Sequence, residues 1–436
     1  MRRVSLDAGA SWRLAPHFLI VRTPMPQTPE APAPHDPSRR DFQLSSAPGP
    51  ATQAVHLGQH ERGAEHFPVP PLICNSAVLL DSIEQGRAML GNPGVENFVY
   101  QRYANPTVST LEAKFRAIEQ CAYSLALNSG MTACLLVFRA LLKAGDHVIV
   151  PHSLFYEIIE QLQYEASSRA LELTIIDDYS LSGFTAALRP NTRMVFIEAP
   201  TNPAFLDIHI APLAQRCIDN GALLVVDNTF LTPVCQKPLK LGAAVTLYSL
   251  TKHLNGHGDV MGGMISTNHA ELYTALKHQR DSTGLILDPF SAWLTIRGLR
   301  TLPLRLEKHT QNALGIARML GAEFPALEWR AVWTTASASA NGIDPALHTG
   351  LIALVLPSRA MGMSFVRHLR LIRLGTTFGN LESLCYHYGS FAREGSDHLH
   401  RIGVPEGLVR ISVGLEDVED IKADIRAALR EAMAGG

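Results

Sequence analysis

Tyr248-Ser249-Leu250-Thr251-Lys252-His253-Leu254-Asn255-Gly256-His257-Gly258-Asp259 is the stretch from which the rest of the chain can be read. It follows the apolar run Ala244–Tyr248, which predicts a short strand covered by helices on both faces. In an open parallel sheet, ligands bind beyond the carboxyl ends of the strands, which is where Lys252 falls. A desolvated lysine amine loses its proton more easily and can form an imine. Ser249 and Thr251, three and one positions earlier, can hydrogen-bond a phosphate. On its own, the tripeptide also reads as a surface lysine after a strand. His253 and His257 are spaced like a metal pair, but no third ligand has suitable spacing, so no metal is expected.

Working outward, the pattern alternates. Strands are expected at Tyr123–Asn128, His147–Val150, Leu171–Ile176, Arg193–Glu198, Ala222–Val226, Ala244–Tyr248 and Met261–Ser266. Between them, helices are expected over Met131–Lys143, Tyr156–Tyr164 and Ala211–Asp219, with an earlier one carrying Leu111, Phe115 and Ile118. This order predicts an α/β fold with a mostly parallel sheet. Val418, Ile421, Ile425 and Leu429 mark one face of a C-terminal helix, with Glu416, Asp417, Glu419 and Asp420 expected in its first turn. Leu304, Leu306 and Leu314 read as core positions.

The composition limits the function classes. The chain has 436 residues, enough for two or three domains. Lys plus Arg is 38 against 40 for Asp plus Glu, so the positive field that nucleic-acid or polybasic membrane-surface binding needs is missing. No apolar run is long enough to span a membrane. Six scattered cysteines with no C-x-x-C pair read as reduced thiols, and we expect a cytoplasmic protein. Residues 1–50 hold nine of the 27 prolines and are expected to be a disordered extension; Met25 is an alternative start.

Three other positions carry chemistry. Asn128-Ser129-Gly130-Met131-Thr132 joins a strand to a helix, where free N–H groups and a glycine let the backbone approach an anion. Asp227 ends the run Val225-Val226-Asp227; a carboxylate there needs a cation or a donor, and a protonated ring nitrogen is suitable, although an Asp that caps the next turn has the same spacing. Arg410, inside Val409-Arg410-Ile411-Ser412-Val413, offers a forked donor for a carboxylate, of a substrate or of an internal salt bridge.

Together these strings resemble the Cys/Met-metabolism enzymes that use pyridoxal 5′-phosphate (PLP). That family includes cystathionine γ-synthase, cystathionine γ- and β-lyase, methionine γ-lyase and the O-acylhomoserine sulfhydrylases. The resemblance runs from Thr52 to the C-terminus. It rests on Tyr100-Gln101-Arg102 with Asn105-Pro106-Thr107, Asn128 to Met131, Pro200 to Pro203, Val226 to Phe230, Ser249 to Lys252, Gly256 to Asp259, Arg297 to Leu302, Glu382 to Leu384, and Arg410 to Asp417.

The resemblance implies PLP fold type I: an arm over 51–108, a large PLP-binding domain over 109–303 and a small α+β domain over 304–436. It implies that Lys252 holds PLP as an imine and then moves the Cα proton, and that Asp227 pairs with the ring nitrogen. Gly130, Met131, Ser249 and Thr251 would grip the phosphate. Asn202, Thr377 and Arg410 would hold the amino acid, Arg410 taking its carboxylate. Tyr100 and Arg102 would reach the neighbouring subunit's cofactor, implying a homodimer within a homotetramer. The expected activity is γ-elimination or γ-replacement on a sulfur-containing or activated-homoserine amino acid. The alternatives are β-elimination of the cystathionine β-lyase kind and, from another class, a non-catalytic scaffold.

Several positions depart from the family pattern. Where the family stacks a tyrosine on the cofactor ring, an ungapped reading places Phe155 and a one-residue insertion places Tyr156. Thr376 stands where γ-acting members often carry glutamate, and Phe378 beside Thr377 resembles the β-lyases. The segment Phe324–Pro357 matches poorly.

Overall fold

A computed structural model describes residues 48–58, 67–91, 97–206, 208–331, 334, 339–344, 346–392 and 398–434. The expected extension therefore lies outside the described residues up to position 47; Pro50 already opens the helix Pro50–His56.

The first sheet has seven strands: β1 (Tyr123–Leu127), β2 (His147–Pro151), β3 (Glu172–Ile176), β4 (Thr192–Glu198), β5 (Leu223–Asp227), β6 (Val245–Ser249) and β7 (Gly263–Thr267). Their spatial order is β1-β7-β6-β5-β4-β2-β3. Only β7 runs against the rest, pairing antiparallel with both β1 and β6. β2 and β6 are buried along almost their whole length, as expected of strands covered on both faces. The helices Gly130–Leu141 and Tyr156–Arg169 pack on one apolar cluster with Phe138, Val148, Phe196 and Leu247. The helix Ile210–Asp219 packs on another with Ile149, Ile197 and Val226. Each expected strand and helix of this part is present, within a few residues of its expected ends; the short helix Leu181–Ala187 was not anticipated.

The second sheet is smaller and mixed. Its strands β8 (Glu328–Ala331), β9 (Leu351–Val355), β10 (Arg373–Leu374), β11 (Leu384–His387) and β12 (Leu408–Ser412) lie in the order β10-β11-β12-β9-β8. The C-terminal helix Val418–Ala434 buries Ile421, Ile425 and Leu429 against this sheet with Val409 and Ile411. Two local expectations are corrected. Glu416 and Asp417 precede that helix, and Glu416 instead accepts from the Ser383 N–H and hydroxyl. Leu304 is 67% exposed, whereas Leu306 is fully buried, because they lie on different faces of the helix Leu302–Glu323. Among the described residues no helix is long and apolar enough to cross a membrane. All six cysteines are free, and Cys74 alone is exposed.

Candidate active site

The carboxyl ends of β4, β5 and β6 meet the turn after β1. Asp227 ends β5, and its Oδ1 accepts from the Thr229 N–H at 2.9 Å. Thr229 Oγ1 in turn accepts from the Ser249 N–H at the end of β6, at 2.7 Å. An Asx turn after one strand is thereby tied to the next strand. Ser249 faces Gly130, where a Cβ would lie 3.0 Å from the serine's own Cβ. Ser129 caps the helix Gly130–Leu141 by accepting from the Thr132 N–H at 3.0 Å. The Gly130 and Met131 N–H groups, at the first two helical positions, have no intrahelical acceptor. At Gly263 any Cβ would collide with the Ser129 carbonyl, so β7 approaches this turn only as glycine.

Lys252 lies in the tight turn Leu250–Leu254, with φ −97° and ψ −139° breaking the helical geometry. Arg305 fastens this turn from beneath, donating to the His253 and Gly298 carbonyls at 2.8 Å each. Thr251 Oγ1 accepts from the Gly262 N–H at 3.2 Å. Lys252 Nζ donates to Thr377 Oγ1 at 3.0 Å and lies 5.0 Å from the Phe378 ring centre. Burial, helped by the charge of Arg410, brings its amine down to about 8.

Arg410 is almost fully buried on β12. Its Nη1 donates to Asn202 Oδ1 at 2.7 Å and to Tyr388 Oη at 2.9 Å; its Nη2 donates to the Thr377 carbonyl at 3.2 Å. Lys252, Asn202, Thr377 and Arg410 are thus brought together.

Glu198, at the end of β4 beside Asp227, was not anticipated from sequence. Its buried carboxyl accepts from the backbone N–H groups of Asn202 and Phe155. Burial first and the Asp227 charge second push it well above the usual carboxylate range, against the two backbone N–H donors, which lower it. Phe155 and Tyr156, at the start of the helix Tyr156–Arg169, are 43% and 48% exposed, and the Phe155 N–H is the one on the Glu198 carboxyl. Tyr100 and Arg102 stand apart from this cluster: Arg102 donates to the Asp281 carbonyl and lies 4.5 Å from the Tyr103 ring centre. His257 Nδ1 contacts the Asn255 carbonyl at 2.6 Å, and His253 is buried against Phe378 and His309.

The donor set fits PLP. Asp227 is half-buried with no cationic partner among the described residues, and desolvation raises its carboxyl; a protonated ring nitrogen would supply the missing charge. The Ser129–Gly130 turn faces Ser249 and brings backbone N–H and hydroxyl donors together, as a phosphate would need. Lys252 offers the amine.

Comparison with known proteins gives the same picture. A model of the Cys/Met metabolism PLP-dependent enzymes matches residues 51–430. Cystathionine gamma-synthase of Mycobacterium tuberculosis is 33% identical over 389 residues, covering 87% of this chain and 97% of that one. L-methionine gamma-lyase of Pseudomonas putida is 34% identical over 397 residues, covering 88% and 98%. The crystal structure of cystathionine gamma synthase from Xanthomonas oryzae pv. oryzae in complex with cystathionine superposes with a TM-score of 0.81 at 32% identity, covering 89% of this chain and all of that one.

Proposed function

The chain belongs to the Cys/Met metabolism PLP-dependent enzyme family, and from that premise we propose that it carries out γ-elimination or γ-replacement on a sulfur-containing or activated-homoserine amino acid. Its fold is PLP fold type I and it is a PLP-dependent enzyme of sulfur amino acid metabolism. Relatives named for γ-chemistry, at 33–34% identity, support the γ reading. One observation carries the amino-acid substrate: Thr377 takes the Lys252 amine on its hydroxyl and the Arg410 guanidinium on its carbonyl. A proton-moving amine and a carboxylate reader on one residue suit the Cα of an amino acid, whose carboxylate is one bond away.

When bound, the cofactor supplies an electron sink through its protonated ring nitrogen. Asp227 would keep that nitrogen protonated. Ser249 and Thr251 hydroxyls and the Gly130 and Met131 N–H groups would hold the phosphate. Phe155 would cover the ring; having no hydroxyl, it moves no proton. Lys252 would hold the cofactor covalently, then use its freed amine to take the Cα proton; an amine at about 8 is a base near neutral pH. Arg410 would hold the substrate carboxylate, and Asn202 would help to place the amino acid while fixing the guanidinium through Nη1. Tyr100 and Arg102, remote from Lys252 in their own chain, would serve a second copy's site in a homodimer.

The test uses hydride trapping and turnover. Reduction of the holoenzyme followed by peptide mass spectrometry should label Lys252, and Lys252→Ala should be colourless and inactive; full activity of that variant would refute the assignment. The product separates the two chemistries. L-methionine releasing oxobutyrate marks γ-elimination. Pyruvate from cystathionine alone marks β-elimination, the reading that Phe378, crowding Lys252, favours.

A further inference from the structure

Arg410, Asn202 and Tyr388 form a closed hydrogen-bonded triangle. Arg410 Nη1 spends one N–H on Asn202 Oδ1 at 2.7 Å and the other on Tyr388 Oη at 2.9 Å. Tyr388 Oη donates its own proton to Asn202 Oδ1 at 3.1 Å. Both hydrogens of Nη1 and both lone pairs of Oδ1 are then used.

What remains is equally definite. Arg410 Nε is buried and has no hydrogen-bond partner among the described residues. Arg410 Nη2 has one N–H committed to the Thr377 carbonyl and, among the described residues, no acceptor for the other. A buried guanidinium N–H without an acceptor is costly, so this edge is built for an acceptor that arrives from outside the chain. The Nε–Nη2 edge matches a carboxylate in bidentate geometry.

We propose that Tyr388 is a specificity-determining residue: its hydroxyl closes the Nη1 edge of Arg410 and so directs the substrate's α-carboxylate to the Nε–Nη2 edge. This rests on the reading of Arg410 as the carboxylate reader and adds which edge does the reading and what selects it. Two acceptor oxygens are required there. A neutral carboxamide presents one acceptor and one donor, and its donor would face a guanidinium N–H. Tyr388 thereby makes the site choose free amino acids over their amides. Without the hydroxyl, Nη1 regains a free N–H, the guanidinium can turn between edges, and the choice relaxes.

The test is made on the holoenzyme, with the amino acid that it turns over and the corresponding carboxamide. In Tyr388→Phe we expect KM for the amino acid to rise about tenfold, kcat to stay within about twofold, cofactor absorbance to stay unchanged, and the preference over the carboxamide to shrink. Unchanged KM and preference overturn the proposal. So does a loss of kcat at constant KM, or loss of the cofactor, since either places Tyr388 elsewhere in the machinery. A crystal structure of the wild-type holoenzyme with a bound amino acid gives an independent reading that needs no variant. A carboxylate on Nε and Nη2 supports the proposal, and one on Nη1 with Tyr388 displaced overturns it while leaving Arg410 as the reader. An amino acid bound away from Arg410 overturns the functional reading as well.

Discussion

Asp227 and Lys252 divide the work that a single residue cannot do. A carboxylate buried without a cation is expensive, which is why burial raises Asp227 in the chain alone. A positive ring nitrogen would recover the expense, and with the Lys252 amine the pair would form a charge-matched socket. Asp227→Asn should keep the hydrogen bond from the Thr229 N–H but lose the charge. We expect the holoenzyme to retain colour and kcat to fall roughly 100-fold, read from steady-state turnover of the same preparation. A variant within twofold of wild type would remove Asp227 from the mechanism. At this scale the chemistry-bearing residues were legible, because strand ends followed by hydroxyls, glycine and lysine are local patterns. Glu198 and Tyr388 were not. Glu198 acquires its role from the neighbouring strand, and Tyr388 from Asn202, which lies 186 positions away in the chain.

At the scale of elements, a buried side chain helps to hold the helix Pro50–His56. Lys114, on the helix Pro106–Glu119, donates through Nζ to the carbonyls of Ala54 and Leu57 at 2.6 and 3.1 Å. Burial, with the charge of Arg300 second, lowers its amine from 10.5 to about 7. Between those values the unfolded chain holds the extra proton and the folded chain does not. This residue's contribution to stability therefore falls as pH drops from 10.5 towards 7, and levels off below 7. The slope is at most one proton, about 1.4 kcal/mol per pH unit. Lys114→Met should remove it: denaturant titrations at pH 7, 8 and 9 should show wild type minus variant rising with pH, and parallel curves would contradict this. Element existence was readable from periodicity, as the strands and helices between β1 and β7 show. Their lateral order was not, since β7 enters between β1 and β6 through contacts far apart in the chain.

For the whole molecule, the position of Tyr100 and Arg102 is the telling feature. Arg102 turns to the Asp281 carbonyl and Tyr103, and Tyr100 is 44% exposed. If they serve a second copy's site, two defective chains should repair each other. Mixing Lys252→Ala with Arg102→Ala and reassembling them should restore roughly a quarter of wild-type activity, since half the dimers are hybrid and each holds one intact site. No recovery in chains shown to have exchanged would mean that the site is complete within one chain.

Sequence alone was enough to identify the α/β alternation, the lysine and aspartate at strand ends, the glycine turn between β1 and its helix, and the family resemblance. Each is written in residues close together, where chemistry and spacing can be read directly. Only the tertiary structure decided that Thr377 joins Lys252 to Arg410, that Glu198 stands beside Asp227 with its carboxyl raised by burial, and that Tyr388 sits on one side of a buried guanidinium. Those facts depend on which side chains exclude water from one another, and burial of that kind arises between segments that no local pattern connects.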